Sequence, residues 1–359
     1  MAVDYRQEYK ADKRFYPKPP VQTNVVVELI TDEGIVGLGE AAHAPGLYGE
    51  TSGATLAAID YLSSAIINQD PLNITRINMA IDRLSPVGNV AAKAGIDIAL
   101  HDLAGKILGI PVYQLLGGRV HDSVPSHITP ATYEDTATDL LDLIDQGYRF
   151  FKQKMSGDIS YDIPLIESLL DTIPDNIWIS LDVNQGWSVK DTLHVINVLE
   201  RRPAFPDCLI LEQPVDGADI RGAARIRNAT AIPLLLDDGI RTASDLQHVL
   251  DSDAADIVSL KISRVGGIQR CLQMIKMAEA ANASYIVDEI NEMRVANTAV
   301  AHLAVASKYP LYTGVACHLL LERDISTGGG VQVINGNAVV DDSPGLGIEG
   351  IQLEESVAS

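Results

Sequence analysis

The sequence predicts an α/β protein, a parallel β/α barrel preceded by a smaller α+β segment. Three observations carry this expectation. From about residue 123 onward, short apolar runs recur roughly every 24 to 30 residues, each followed by a stretch with helical periodicity. Polar or charged residues close almost every run, as expected where a barrel builds its site at the C-terminal ends of its strands. The chain is long enough for such a fold, with 359 residues of which 47% are hydrophobic and 21% charged, so it can bury a large core. A doubly wound open sheet is the competing architecture, and the polar strand ends favour the barrel.

The elements follow in order. Residues 24–30 and 35–40 are β-rich and flank Thr31-Asp32-Glu33-Gly34, a turn signal, so they read as a hairpin. Helical patterns cover 51–68, 73–85 and 89–108, the last stopping at Gly109 with Pro111 just beyond. The eight barrel strands are expected at 124–129, 150–155, 179–184, 208–214, 232–238, 256–263, 284–289 and 312–318. A further hairpin, 331–334 and 337–340, surrounds Asn335-Gly336, a type I′ turn signal. It has no place in the barrel repeat and is expected to return to the N-terminal sheet. Gly328-Gly329-Gly330 lacks the helix and Lys-Ser/Thr of a phosphate cradle and reads as a flexible connector. The expected division is a capping domain over 1–120, the barrel over 121–320, and a C-terminal segment over 321–359 that returns to the cap.

Composition narrows the function. With 27 Lys+Arg against 48 Asp+Glu, the net charge of −21 disfavours nucleic acid and anionic membranes, and 5% aromatics leave little for base stacking. Cys208, Cys271 and Cys317 form no C-x-x-C pair, which fits a reducing compartment. The N-terminus has no apolar signal core and no run is long enough to span a bilayer. The expectation is a soluble cytoplasmic protein.

The chemistry lies in the ionisable residues at successive strand ends. On strand two, alternation puts Lys152 and Lys154 on one face and Phe151 and Met155 on the other. If Phe151 and Met155 pack on the surrounding helices, both lysines enter the barrel mouth. Strands three and four end in Asp182 with Asn184, and in Glu212. Strand five ends in Asp237-Asp238, of which only one can point inward. Three hard oxygen ligands on consecutive strand ends suit a small divalent cation, Mg²⁺ being the usual choice. Without a cation, converging carboxylates would raise one another's pKa values. Lys261 closes strand six after an apolar run, Asp288-Glu289 closes strand seven, and Cys317-His318 closes strand eight. No H-x-x-x-H or H-E-x-x-H spacing occurs, which argues against zinc. Lys154 and Lys261, on strands two and six, would face each other across the ring. That placement suits abstraction of a proton α to a carboxylate on one face and its return on the other, which is racemisation or epimerisation.

These residues resemble the enolase superfamily, and within it the mandelate racemase and muconate lactonizing enzyme group, over almost the whole chain. The matching segments are GIVGLGEAA at 34–42, AGIDIALHDLAGKILGIPVYQLLGG at 94–118, K-x-K at Lys152 and Lys154, and D-x-N at Asp182 and Asn184. They continue with LEQP at 211–214, Asp237-Asp238, K-x-x-x-x-G-G from Lys261 to Gly267, and PGLGIE at 344–349. The resemblance implies a modified (β/α)7β barrel under an N-terminal α+β cap and one Mg²⁺ per subunit on Asp182, Glu212 and Asp237. It implies Lys154 and Lys261 as paired acid/base lysines, with Lys152 near the substrate carboxylate and Asn184 supporting the metal site. The expected substrate contacts are thus Lys152, Asn184 and Asp288, together with Tyr48, Trp187 and His318. Homo-oligomers are expected on the same ground.

The departures shape the substrate expectation. No histidine ends strand seven, so mandelate-like substrates lose favour. Ala316-Cys317-His318 stands where dipeptide epimerases carry Asp-x-Asp on strand eight. Asp288-Glu289 looks more like the subgroup acting on hydroxyproline and proline-betaine compounds, where an acid meets a substrate nitrogen. The segment before Val21 is short, with Tyr16 and Lys18 near the expected lid. A racemase or epimerase of a proline, betaine or N-acyl amino acid type is the first reading. A dehydratase or cycloisomerase using the same enolate stays open, as do a Schiff-base aldolase through Lys261 and a binding protein without turnover.

Overall fold

The computed structural model describes residues 2–4, 21–130, 136–202, 208–321 and 324–352, and the side chain of Tyr48 lies outside this description, as do Tyr16 and Lys18. Eight parallel strands close into a barrel: Val124–Ile128, Phe150–Lys154, Trp178–Asp182, Leu209–Glu212, Leu234–Leu236, Ile257–Lys261, Ser284–Asp288 and Pro310–Gly314. Each pairs with the next, and the eighth pairs back onto the first. Helices follow the first seven strands, whereas strand eight runs into the short 3₁₀ turn Cys317–Leu320, so the architecture is (β/α)7β. Strand eight therefore ends earlier than expected. Past Gly314 the backbone turns so that the amides of Ala316 and Cys317 reach the Glu289 carboxylate.

Strand alternation divides the apolar residues into two populations. Phe151, Met155, Ile179, Leu181, Leu211, Leu236, Leu260 and Val287 point outward into the main core beneath the helices. Ile210, Leu235, Ile257, Ile286 and Tyr312 point inward and, with Phe150 and Trp178, plug the lower barrel. Phe150 stacks on Trp178 at 6.1 Å between ring centroids. Above this dry floor the inward positions become polar. The plug closes the barrel below, so the polar residues open only toward the C-terminal mouth.

The cap pairs Val25–Ile30 with Val36–Ala41 and adds helices Ser52–Ser63, Ile74–Leu84 and Val90–Leu108. Its acids grip the barrel directly. Asp97 Oδ2 accepts from the amides of Ile268 and Gln269 at 2.6 and 3.3 Å, capping the helix Ile268–Ala280 that follows Lys261. Glu40 accepts from the amides of Met293 at 2.7 Å and Ala296 at 2.9 Å, capping the helix Arg294–Val305. Carboxylates suit these helix N-termini because four amides there lack intrahelical partners. Gly267 makes the first contact possible: its φ is 128° and a Cβ there would stand 2.6 Å from Asp97 Cβ. This is the physical content of the K-x-x-x-x-G-G segment.

Two expectations for the tail are corrected. The Asn335-Gly336 hairpin, Gln332–Ile334 with Asn337–Val339, extends the barrel sheet by pairing antiparallel with strand one, and does not join the N-terminal sheet. The turn residues set the hairpin but not the edge it adds to. Gly328-Gly329-Gly330 is no free connector, since Ser326–Gly329 is a strand paired with Ile348–Ile351. Beyond the hairpin, Leu346 N donates to Asp102 Oδ1 at 2.7 Å and Gly345 N to Ile110 O at 3.0 Å, which ties the tail to the cap's long helix. Among the described residues no helix is long and apolar enough to cross a membrane.

Candidate active site

The polar layers of the barrel hold four carboxylates and four cations. Asp182, Glu212, Asp237 and Asp288 face Lys152, Lys154, Lys261 and Arg264, all buried except Lys154, which is 24% exposed at its side chain. Neighbouring strands place them: in the parallel register Lys154 pairs with Asp182, Asp182 with Glu212, and Lys261 with Asp288. Lys154 Nζ donates to Asp182 Oδ2 at 2.5 Å and to Asn184 Oδ1 at 3.1 Å. Lys152 Nζ donates to Glu212 Oε1 at 2.8 Å and Asp288 Oδ2 at 2.9 Å. Lys261 Nζ lies 2.8 Å from Asp237 Oδ2 and 3.3 Å from Asp288 Oδ2.

Electrostatics follow from this crowding. Burial alone would lower the lysines, but Asp237 and Asp288 outweigh it and hold Lys261 well above the usual range, as Asp288 and Glu212 do for Lys152. Burial, and next the Asp182 charge, push the Glu212 carboxyl up to about 7. Burial also opposes ionisation of Asp237, yet Arg264 and Lys261 hold it below the usual carboxylate range. Of the strand-five pair, Asp237 points inward and Asp238 outward to Gln185 Nε2 at 3.0 Å. Gln213, at a left-handed φ of 38°, steers that pair through a 2.8 Å bond from Asp237 N to its Oε1.

One group of three carboxylates among the described residues offers oxygens all within 4.8 Å of one another, Glu212, Asp237 and Asp288. The expected trio had Asp182 in place of Asp288. In the structure Asp182 stands beside Glu212, with its oxygens engaged by Lys154 and by the amide of Asn184 at 3.0 Å. Trp187 is not brought to the cluster: its indole donates to Asp162 Oδ2 at 2.9 Å within the core. His318 lies in a neighbouring group, where Asn297 Oδ1 is 2.9 Å from its Nδ1 and Asn297 Nδ2 donates to Glu289 at 2.7 Å.

Four participants escaped the sequence reading. Ser180 donates to Glu212 Oε2 at 2.6 Å and Ser259 to Asp288 Oδ2 at 3.2 Å. Each sits two residues before a site residue, so alternation was a usable signal for both. Arg264 lies on the turn after strand six and donates to Asp237 Oδ1 at 2.7 Å. His127, on strand one, reaches Asp288 Oδ1 at 2.8 Å. For these two, nothing local in the sequence marked the contact.

Comparison with known proteins matches residues 20–117 to "Mandelate racemase / muconate lactonizing enzyme, N-terminal domain" and residues 135–352 to "Enolase C-terminal domain-like". The chain belongs to the mandelate racemase / muconate lactonizing enzyme group of the enolase superfamily. It is an enzyme of that superfamily. The N-succinyl-L-Arg/Lys racemase of Bacillus cereus is 33% identical over 329 residues, covering 91% of this chain and 87% of the relative. The substrate-liganded L-Ala-D/L-Glu epimerase of Bacillus subtilis superposes with a TM-score of 0.91 at 28% identity, covering 98% of this chain and 97% of that one. The dipeptide epimerase of Enterococcus faecalis V583, complexed with Mg and L-Leu-L-Tyr, gives 0.89 at 28% identity, with the same coverage of 98% and 97%. Enolase superfamily members bind Mg²⁺, and Glu212, Asp237 and Asp288 lie close enough together to hold a metal ion.

Proposed function

We propose that the protein is a Mg²⁺-dependent racemase or epimerase of N-acyl amino acids, with Lys154 and Lys261 as acid/base groups on opposite faces of the substrate. The observation that carries this is their separate anchoring. Lys154 is held by strand three through Asp182, and Lys261 by strand five through Asp237, with Glu212 between those strands. Strands two and six are half a ring apart, so the two amines approach a central α-carbon from opposite sides.

The donor set fits Mg²⁺. Its atoms are hard carboxylate oxygens, all buried, and burial together with the Asp182 and Asp237 charges raises the Glu212 carboxyl, so the set needs a compensating charge. Asp182, Glu212 and Asp237, on consecutive strand ends, would hold the cation, leaving Asp288 to the lysines and His127. When bound, the cation supplies charge that stabilises the substrate's carboxylate as the α-proton leaves and offsets the acids that hold Lys261 above the usual lysine range. Lys152, deeper on strand two, supplies a fixed positive charge toward the substrate carboxylate. One lysine, as the neutral amine, takes the α-proton, and the other, as the ammonium, returns a proton to the opposite face. The cycle inverts the centre with no net change in atoms. The aromatic plug below keeps water from entering beneath the reacting carbon.

Two features support an N-acyl substrate. The segment that follows strand eight, Ala316-Cys317-His318, has no carboxylate to meet a free ammonium, and the nearby Glu289 is already engaged by Asn297 and two backbone amides. Both oxygens of Asp288 are likewise taken by this chain's own donors, which disfavours the proline-betaine type. The similarity to the N-succinyl-L-Arg/Lys racemase points the same way. A panel of N-succinyl and N-acetyl amino acids, dipeptides, hydroxyprolines and proline betaine in D₂O, with and without Mg²⁺, tests this. Mg²⁺-dependent α-deuteration confined to N-acyl compounds is expected, and exchange of only free-amine compounds would refute the substrate assignment.

A further inference from the structure

Asp288 divides its two oxygens between different duties. Oδ2 faces the lysines, accepting from Lys152 Nζ at 2.9 Å and Ser259 Oγ at 3.2 Å and lying 3.3 Å from Lys261 Nζ. Oδ1 faces away from them, to His127 Nε2 at 2.8 Å. A counter-ion to two ammonium groups needs no partner on its far oxygen. A carboxylate that must present one chosen oxygen in one orientation does, because rotation about its Cβ–Cγ bond would otherwise be free.

The bond is built into the barrel. His127 lies on strand one and Asp288 on strand seven, with strand eight between them. Gly314 of strand eight pairs in register with His127. A Cβ on Gly314 would stand 2.6 Å from His127 Nε2 and closer still to Asp288 Oδ1, so the hydrogen bond runs through the space a side chain would fill. Tyr312 meets the imidazole edge-on, with centroids 5.7 Å apart and an interplanar angle of 86°. The ring is buried and its Nδ1 has no hydrogen-bond partner among the described residues. An ionised carboxylate can only accept, so His127 Nε2 carries the hydrogen and donates to Asp288 Oδ1.

We propose that His127 is a positioning residue for the Lys261 base: by fixing Asp288, it sets where Lys261 Nζ stands relative to the substrate α-carbon. This rests on the two-lysine reading above. Because Lys154 is anchored on strand three by Asp182 and Asn184, the displacement of Lys261 falls on one face of the substrate, whereas any shift of Lys152, which shares Asp288 Oδ2, would lower both enantiomers alike.

The test compares His127→Phe and His127→Gln with wild type, using N-succinyl-L-arginine and N-succinyl-D-arginine separately in D₂O with Mg²⁺. Lys261→Ala identifies which enantiomer depends on Lys261. For that enantiomer His127→Phe is expected to lower α-deuteration by about tenfold or more beyond any loss shared with the other enantiomer, the scale on which ångström-level misplacement acts. His127→Gln, which keeps an N–H donor, should recover most of the loss. A crystal structure of His127→Phe should show Lys261 Nζ displaced with Lys154 and the backbone in place. Equal losses for both enantiomers, or an undisplaced Lys261, would overturn the proposal. If the single lysine variants show no enantiomer dependence, the two-base reading fails instead. If wild type exchanges neither probe, the N-acyl assignment fails, and the crystallographic comparison decides the role of His127.

Discussion

His302 sits where barrel, cap and tail meet, and its protonation should loosen that junction. It lies on the helix Arg294–Val305, with Nδ1 accepting from Tyr113 N at 3.3 Å and Nε2 3.4 Å from Leu346 O. The Tyr113 ring stacks on it at 5.7 Å. Both contacts suit one neutral tautomer, with the hydrogen on Nε2. Burial lowers its pKa from 6.5 to about 4. The unfolded chain therefore takes up a proton first as pH falls, so the stability His302 contributes is complete above pH 6.5 and is lost as pH falls toward 4. The difference between 6.5 and about 4 corresponds to about 3.4 kcal/mol in all, of which about 2 kcal/mol is lost by pH 5. Urea unfolding of wild type and His302→Gln at pH 8 and pH 5 isolates this term, because other titrating groups cancel in the difference. The stability gap between the two proteins should narrow by about 2 kcal/mol at pH 5. A gap unchanged between the two pH values would refute a neutral buried His302.

Other outcomes follow from the same contacts. Mg²⁺ should raise the melting temperature of wild type, equivalent to about 2.7 kcal/mol at a hundredfold excess over Kd, and should leave Glu212→Gln unmoved; a matching rise in the variant would exclude Glu212 as a ligand. Gly267→Ala places a methyl 2.6 Å from Asp97 Cβ at a φ of 128°, and should lower stability by about 1–3 kcal/mol in thermal or urea unfolding. Asp97→Ala keeps that Cβ but removes the Cγ and Oδ2, which would also stand 2.6 Å from the new methyl, and should relieve part of the loss in the double variant; strict additivity would contradict the clash.

Much of the site could be read from period alone. A strand turns every second side chain inward, so once the apolar runs were placed, Lys152, Lys154, Asp182, Glu212 and Lys261 fell on the inner face together. The barrel itself followed from the even spacing of the runs. What stayed hidden depends on contacts between distant segments. His127 offered no metal spacing, and its contact with Asp288 exists because Gly314 leaves a passage across strand eight. Glu40 and Asp97 look like ordinary acids in a strand and a helix, yet each caps a helix of the other domain. Trp187 sits close after the strand-three acids in sequence, but the turn carries its indole into the core. Ser326–Gly329 has little intrinsic strand propensity and is a strand because Ile348–Ile351 runs beside it.

The central claim is that two lysines work on opposite faces of one carbon. The most direct measurement is α-deuterium exchange of each enantiomer, taken separately, of the best compound from the substrate panel, with Lys154→Ala and Lys261→Ala in the presence of Mg²⁺. Each variant should lose exchange of one enantiomer and keep the other, with the two variants losing opposite enantiomers and neither catalysing net inversion. Exchange of both enantiomers surviving in each single variant would contradict it.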